Sequence, residues 1–154
     1  MIKSVEKVRR YWVSSLFLLA AASLHAPGAS AENSLSSVLI QSLLDFNAIL
    51  ITEVDVVFVY DLATAERLPA TKGDWYAQKY DLLKDDPQEL DVITTSIPQG
   101  FDSTTLSLPE RSASAVRIFA VGYHEAQGAA VHDMTDMDST LIQIDQFGIR
   151  VSAR

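Results

Sequence analysis

The sequence has no cysteine, and this absence excludes disulfide bonds, thiol chemistry and cysteine-ligated metals. Glycine is scarce, with 6 residues, and no glycine-rich loop of the phosphate-binding kind is present. No serine stands in the G-x-S-x-G pattern of hydrolases. Acidic residues outnumber basic ones by 20 to 12, which gives a net charge of −8. Such a chain, without a basic stripe, is not expected to bind nucleic acid, so we expect protein or small-molecule partners.

The first 31 residues have the pattern of a secretory signal peptide. Four basic residues lie between Lys3 and Arg10, and an apolar run follows from Tyr11 to Ala22. Small residues then provide an A-x-A cleavage site that ends at Ala31. The apolar run is well short of the roughly 20 residues that span a bilayer as a helix. We therefore predict cleavage after Ala31 and export to the periplasm; the alternative is an uncleaved signal anchor.

Cleavage at this site would leave residues 32–154, a length that suits a single domain. It would remove four of the 12 basic residues and one of the 20 acidic residues, so the exported chain would carry a net charge of −11. The residue after the predicted site is Glu32, whereas a bacterial lipoprotein needs a cysteine there. We therefore expect neither a lipid anchor nor a transmembrane segment in the exported chain.

Alternating apolar residues predict a mainly β protein. In the segment Ile49–Leu62, residues such as Val54 and Phe58 line one face while Val57 and Val59 line the other, which is typical of a buried strand. Short strands separated by turns favour a small antiparallel β-sandwich of six or seven strands. The later candidate strands are Leu90–Ile97, Thr104–Leu108, Ala115–Tyr123, Ser139–Ile144 and Ile149–Ser152, with a hairpin turn at 145–148.

One short helix is predicted within this sandwich, over Gly73–Lys84. Thr71 and Asp74 have the spacing of an N-terminal capping pair, and Pro87 follows the end of the helix. The preceding segment, Thr64–Lys72, is predicted to be a loop. Within the helix, Trp75 is expected to anchor the helix on the sandwich.

The segment Leu35–Phe46 fits two structures. Leu35, Val38 and Leu39 have helical spacing, whereas Val38, Ile40 and Leu44 also fit one face of a strand. Residue propensities do not decide between helix and strand here.

A polar cluster between the last strands is the one segment that suggests catalysis or metal binding. Its spacing matches neither a zinc-binding helix nor an EF-hand, and a solvated acidic loop is expected between strands. We therefore predict no catalytic residue, no metal and no cofactor, with a hydrolase or metal protein as the alternative. The residues of that alternative are His124, His132, Asp133, Asp136 and Asp138.

Three short patterns and the order of elements resemble the outer-membrane lipoprotein family of type VI secretion machines. The patterns are Phe46-Asn47 after the first segment, Tyr60-Asp61-Leu62 at the end of the apolar strand, and Pro98-Gln99-Gly100 before a later strand. The resemblance implies a transthyretin-like β-sandwich with a helix inserted after an early strand. The chain departs from the family in lacking the lipobox cysteine, in the short connection at 48–53, and in Gln99, which splits the proline-glycine turn.

These features together predict an exported, non-enzymatic protein that acts through protein–protein contacts, as an accessory or structural component of a type VI secretion-like envelope complex. An inner-membrane secretion component is the expected partner. A periplasmic ligand-binding or substrate-recognition module, with an aromatic-lined pocket, is the alternative. The predicted contact residues lie in two loops and on the helix: Asn47, Thr52, Glu53, Arg67, Lys72, Tyr76 and Tyr80.

If the signal peptide is cleaved as predicted, N-terminal sequencing of the exported protein will begin at Glu32. Replacing Ala31 with a bulky residue such as phenylalanine should block cleavage, because the processing site requires small side chains. An exported protein that retains Met1 would contradict the prediction.

Overall fold

Two four-stranded β-sheets pack face to face in the structure, a computed structural model that describes residues 33–45, 47, 50 and 52–154. The predicted signal peptide lies outside these residues. The described strands are β1 (Ser37–Ser42), β2 (Thr52–Val59), β3 (Leu90–Ile97), β4 (Ser103–Thr105), β5 (Arg117–Gly122), β6 (His132–Asp133), β7 (Ser139–Ile144) and β8 (Ile149–Ala153). The described helices are α1 (Leu62–Arg67), α2 (Lys72–Asp85) and a 3-10 turn at Ser112–Ser114.

The strand order is β4-β1-β7-β8 in one sheet and β3-β2-β5-β6 in the other. Neighbouring strands are antiparallel except for β1 and β7, which run parallel with Val38 opposite Thr140. A long stretch of chain separates these two strands, so no tight turn forces them to be antiparallel. The predicted β-sandwich with an inserted helix is confirmed, and the parallel pair is a detail that the sequence pattern did not indicate.

The segment that fitted either a helix or a strand forms β1. Val38 and Ile40 are fully buried between the sheets, as the strand reading requires. β4 pairs with β1 on one side and β7 pairs with it on the other. Hydrogen-bonding partners on both sides stabilise the extended backbone, and they outweigh the local helical spacing.

β2 is buried on both faces, as its sequence predicts. Val54, Val56 and Phe58 pack into the core between the sheets. Val57 and Val59 belong to a second core, on the outer face of the sheet. All five side chains are fully buried, so β2 is the strand around which both cores form.

Helix α2 begins as predicted. Thr71 is its N-cap, and the Thr71 hydroxyl accepts a hydrogen bond from the backbone N–H of Asp74 at 3.2 Å and donates one to the Asp74 carboxylate at 2.7 Å. This reciprocal arrangement satisfies a backbone donor that the first turn leaves free.

The loop predicted over Thr64–Lys72 is wrong in its first half, because α1 occupies Leu62–Arg67. Asp61 was predicted only to end the strand, but it is the N-cap of α1. Its carboxylate accepts a hydrogen bond from the backbone N–H of Thr64 at 2.8 Å. The alanines and Glu66 that follow are compatible with a helix once the cap has formed.

A buried carboxylate holds α2 on the outer face of the β3-β2-β5-β6 sheet. Asp55 of β2 is fully buried, and its two oxygens lie 2.8 and 2.9 Å from the ammonium of Lys79. The indole N–H of Trp75 donates to Asp55 at 2.9 Å, and the Thr94 hydroxyl donates at 2.6 Å. The Trp75 ring also meets Phe119 edge to face at 5.4 Å, so Trp75 anchors the helix as predicted.

The substitution Lys79→Met should lower the free energy of unfolding by about 3–5 kcal/mol, because it leaves the Asp55 charge buried without its ion-pair partner. Arg67→Met is the matched control. Arg67 also pairs with an aspartate, Asp86 at 3.0 Å, but its side chain is 58% exposed, so we expect a loss below about 1 kcal/mol. Chemical denaturation of both variants measures the difference, and equal losses would contradict a central role for the buried pair.

Candidate functional site

Most of the predicted contact residues lie at one end of the sandwich. β2 begins there with Thr52, which lies opposite Ile97 at the end of β3. The backbone N–H of Tyr123, just after β5, donates to the carbonyl of Glu53 at 2.9 Å. The loop after β1 and the β7-β8 hairpin reach the same end, since Ser42 lies opposite Ile144. We call this end the strand-end surface; it comprises Leu43–Asp45, Asn47, Thr52–Glu53, Ser96–Pro98, Tyr123 and Asp145–Phe147.

An open groove of about 460 Å³ crosses the strand-end surface. Tyr123 is 52% exposed and is the aromatic residue among its lining side chains. The groove is lined by Thr52, Glu53, Ser96, Ile97, Pro98 and Tyr123. Its lining is both apolar and polar, and it is open to solvent.

Helix α2 supports Tyr123 from behind. The ring of Tyr76 meets the ring of Tyr123 edge to face at 4.9 Å. The ammonium of Lys72 lies 5.1 Å from the centre of the Tyr123 ring and 5.8 Å from that of Tyr76. Such cation–π contacts each contribute about 0.5–2 kcal/mol. Because Lys72 is itself buried, it acts on the site by fixing Tyr123.

Tyr76 is half-buried, with little of its side chain available to a partner. Its hydroxyl is buried and has no hydrogen-bond partner among the described residues. Burial, reinforced by the negative charges of Asp55 and Glu53, raises the pKa of Tyr76 well above its ordinary value. The phenol therefore stays neutral, and Tyr76 serves the strand-end surface through its contact with Tyr123.

A second apolar feature of the strand-end surface was missed from the sequence. Phe147, at the tip of the β7-β8 hairpin, is 80% exposed, and Leu43 is 51% exposed. These two residues line a groove of about 360 Å³ together with Leu44, Asp45, Asp145 and Gln146. An aromatic residue inside a hairpin turn was the available signal. Together these side chains form an exposed apolar patch at this end of the sandwich.

The remaining predicted contact residues are Asn47, Arg67 and Tyr80. Asn47 is exposed on the strand-end surface, and its backbone N–H donates to the Asp45 carboxylate at 2.8 Å. Arg67 lies at the opposite end of the sandwich, paired with Asp86. Tyr80 is 79% exposed on α2 and is not part of the strand-end surface. The structure therefore separates the seven predicted residues into one group at the strand ends and two isolated positions.

The histidines of the polar cluster join elements rather than converge on one point. The ring nitrogens of His124 lie 2.8 Å from the Thr52 hydroxyl and 2.9 Å from the carbonyl of Asp145, so His124 connects β2 to the last hairpin. His132 lies 2.8 Å from the carboxylate of Glu125. Asp133 instead pairs with Arg117 at 3.4 Å. Within the part of the chain that the structure describes, no three such side chains are grouped to hold a metal.

Glu125 is the most constrained member of this cluster. It is buried and accepts hydrogen bonds from His132 and from the backbone N–H of Gly122 at 2.8 Å. A Cβ at Gly148 would lie 2.8 Å from Glu125 Cγ, so the hairpin packs directly on this side chain. Burial alone would raise the pKa of Glu125, but the hydrogen bonds from His132 and Gly122 outweigh it and hold the pKa below its ordinary value.

Comparison with known proteins shows the fold. No protein-family model matches the chain, and no curated protein matches it significantly. The structure is similar to the crystal structure of the T6SS lipoprotein TssJ1 from Pseudomonas aeruginosa, with a TM-score of 0.50 and 12% identity over 77% of this chain and 94% of that chain. The sandwich therefore has the TssJ-like fold.

A second solved structure gives a weaker match. It is Lip from Serratia marcescens, described as a membrane-bound component of the Type VI Secretion System. Its TM-score is 0.48 at 11% identity, over 79% of this chain and 98% of that chain. Among the residues described for this chain, neither helix is long and apolar enough to cross a membrane.

In the Glu125→Gln variant, the free energy of unfolding should fall less on acidification than it does in the wild type. Because the pKa of Glu125 is lowered on folding, its ionised form stabilises the fold above the ordinary glutamate pKa of about 4.3, and this contribution disappears as the pH falls below that value. Unfolding free energies measured from neutral pH down to about pH 3 should therefore fall less steeply in the variant. The slope will not vanish, since the pKa of Asp91 and that of Asp133 are also lowered. An unchanged slope would contradict the prediction.

Proposed function

We propose that this protein is exported to the periplasm and works there, without enzymatic activity, through protein–protein contacts in a type VI secretion-like envelope assembly. The observation that carries the proposal is the TssJ-like fold, which is shared over 94% of the length of a type VI secretion lipoprotein. The sequence supports the same proposal, because the signal-peptide pattern at 1–31 directs a chain to the compartment where such an assembly stands.

One difference from TssJ1 shapes the proposed role. TssJ1 is described as a lipoprotein. This sequence contains no cysteine that could carry a lipid. We propose an accessory component that is held in place by its protein partner rather than by a lipid anchor of its own.

The non-enzymatic role is supported by the engagement of the polar groups near the strand-end surface. His124 bridges Thr52 and the hairpin carbonyl, and Glu125 is enclosed by Gly122, Gly148 and His132. Each of these side chains connects elements of the fold. Replacing one of them should therefore lower the free energy of unfolding.

We propose the strand-end surface as the contact surface. It combines exposed apolar residues, Phe147, Leu43 and Tyr123, with the acidic residues Glu53 and Asp45. A partner with apolar side chains flanked by basic ones would complement it. Such a complex should weaken as salt concentration rises, because exposed charge pairs are screened.

The test is affinity purification of the tagged protein from crosslinked cell envelopes, with partners identified by mass spectrometry. We expect recovery of an inner-membrane secretion component and its loss with Phe147→Ser, which removes the most exposed apolar side chain of the strand-end surface. Tyr80→Ser is the matched control, since Tyr80 has nearly the same exposure, 79%, but projects from α2. Both variants should fold, because each replaces an exposed side chain.

Two results would contradict the proposal. Loss of the partner with Tyr80→Ser but not with Phe147→Ser would move the contact to the helix. Recovery of the protein alone would favour the ligand-binding module, for which the groove beside Tyr123 is the candidate pocket.

A further inference from the structure

β3 is the outermost strand of its sheet. It pairs along its whole length with β2, from Val59 opposite Leu90 to Thr52 opposite Ile97. Among the described residues, no strand pairs with its other side. The outermost strands β4, β6 and β8 have 3, 2 and 5 residues, whereas β3 has 8. β3 is therefore the longest open edge in the described part of the sandwich.

The ladder between β2 and β3 fixes which backbone groups face this open edge. The backbone N–H of Tyr60 donates to the carbonyl of Glu89 at 2.9 Å, so the odd-numbered residues of this segment point their N–H and C=O groups toward β2. In an antiparallel strand these groups alternate in direction. The N–H and C=O groups of Val92, Thr94 and Ser96 therefore face outward, and no backbone hydrogen bond joins them to the described residues.

The sequence of β3 lacks the features that usually protect an open edge. Leu90–Ile97 contains no proline and no lysine, and its central residues are β-branched or serine. Its one charged residue, Asp91, lies near the start of the strand. The Asp91 carboxylate accepts hydrogen bonds at 3.0 Å from both Nε and Nη2 of Arg111. A neutral extended strip of this length is suited to pair with another strand.

We propose that the free edge of β3 accepts an extended segment of a partner protein, with an uncharged, β-branched centre and basic residues at both ends. This proposal rests on the proposed function and names its binding mode. β3 ends at Ile97, and Ile97 and the following Pro98 line the groove of the strand-end surface. A strand added along the edge would therefore lead a side chain into that groove. Main-chain hydrogen bonds would give affinity, and the groove would give specificity.

Charge favours a basic partner segment over a second copy of this chain. Glu89 lies before β3, and Glu53 and Asp102 lie near its other end. The nearby cations are already paired with carboxylates, Arg111 with Asp91 and Lys79 with Asp55. Two copies that each carry a net charge of −8 would repel one another.

The first test is amide hydrogen exchange by NMR on the exported protein, with and without a synthetic peptide of alternating valine and threonine flanked by lysines. The free protein should already protect the amides of Ile93 and Thr95, which are paired with β2. Peptide binding should add protection at Val92, Thr94 and Ser96. Protection that appears elsewhere, or binding without new protection at these amides, would overturn the proposal.

The second test compares Ser96→Pro with Ser96→Ala in peptide affinity. Proline removes an N–H that faces the open edge and leaves the β2 ladder intact, so binding should weaken about tenfold or more. Alanine retains the N–H and removes only the hydroxyl at the groove, so it should lose much less affinity than proline does. Equal affinity of the two variants would overturn edge pairing; if the proline variant does not fold, the exchange experiment still decides.

Two further results would also overturn the proposal. A peptide flanked by glutamates that binds as tightly as the lysine peptide would remove the charge argument. A dimer seen by sedimentation, together with protection of the Val92 and Thr94 amides from exchange in that dimer, would assign the edge to a second copy. Because the peptide tests do not involve a secretion component, their failure leaves the envelope proposal to its own purification experiment.

Discussion

The arrangement of the molecule depends on the buried carboxylate of Asp55. Removing an ion from water costs several kcal/mol, so this charge is tolerated because Lys79, Trp75 and Thr94 all bind it. Two of these three partners belong to α2, so they hold the helix at this place on the sheet. That position brings Lys72 and Tyr76 behind Tyr123. A buried contact near the middle of the sheet thus determines the geometry of an exposed groove at its end.

The two ends of the sandwich are chemically different, which bears on where a partner can bind. At the end opposite the strand-end surface, Arg111 binds Asp91 and lies 3.8 Å from the centre of the Tyr60 ring, and Tyr60 donates to the same aspartate at 2.7 Å. The hydrogen bonds from Arg111 hold the pKa of Asp91 below its ordinary value. These groups satisfy one another, whereas Phe147 and Leu43 remain exposed at the strand-end surface. The proposed contact surface thus lies at the end where these apolar side chains remain exposed.

Local sequence patterns predicted much of this fold, but they did not predict the candidate site. β2, the cap of α2 at Thr71 and the last hairpin follow from residues close in sequence, and these predictions are confirmed. The parallel pairing of β1 with β7 and the partners of Asp55 depend on residues far apart in the chain, which periodicity does not encode. A charged residue inside a strand that is apolar on both faces requires a buried partner, but the local pattern does not identify that partner. Likewise, Asp61 was predicted only to end the strand, and its role as a helix cap is shown by the hydrogen bond that its carboxylate accepts from Thr64.

The acidity of the chain and the open edge of β3 are connected. A long neutral edge strand normally invites association between identical molecules, and proteins usually prevent this with lysine or proline on the strand itself. Here the strand carries neither, and the net charge of −8 opposes self-association from a distance. Protection of this kind is selective, because the same field that repels another copy attracts a basic partner. It also weakens at high salt, because the screening length falls from about 8 Å at physiological ionic strength to about 3 Å at 1 M. The edge can thus stay open for a partner without the protein pairing with itself.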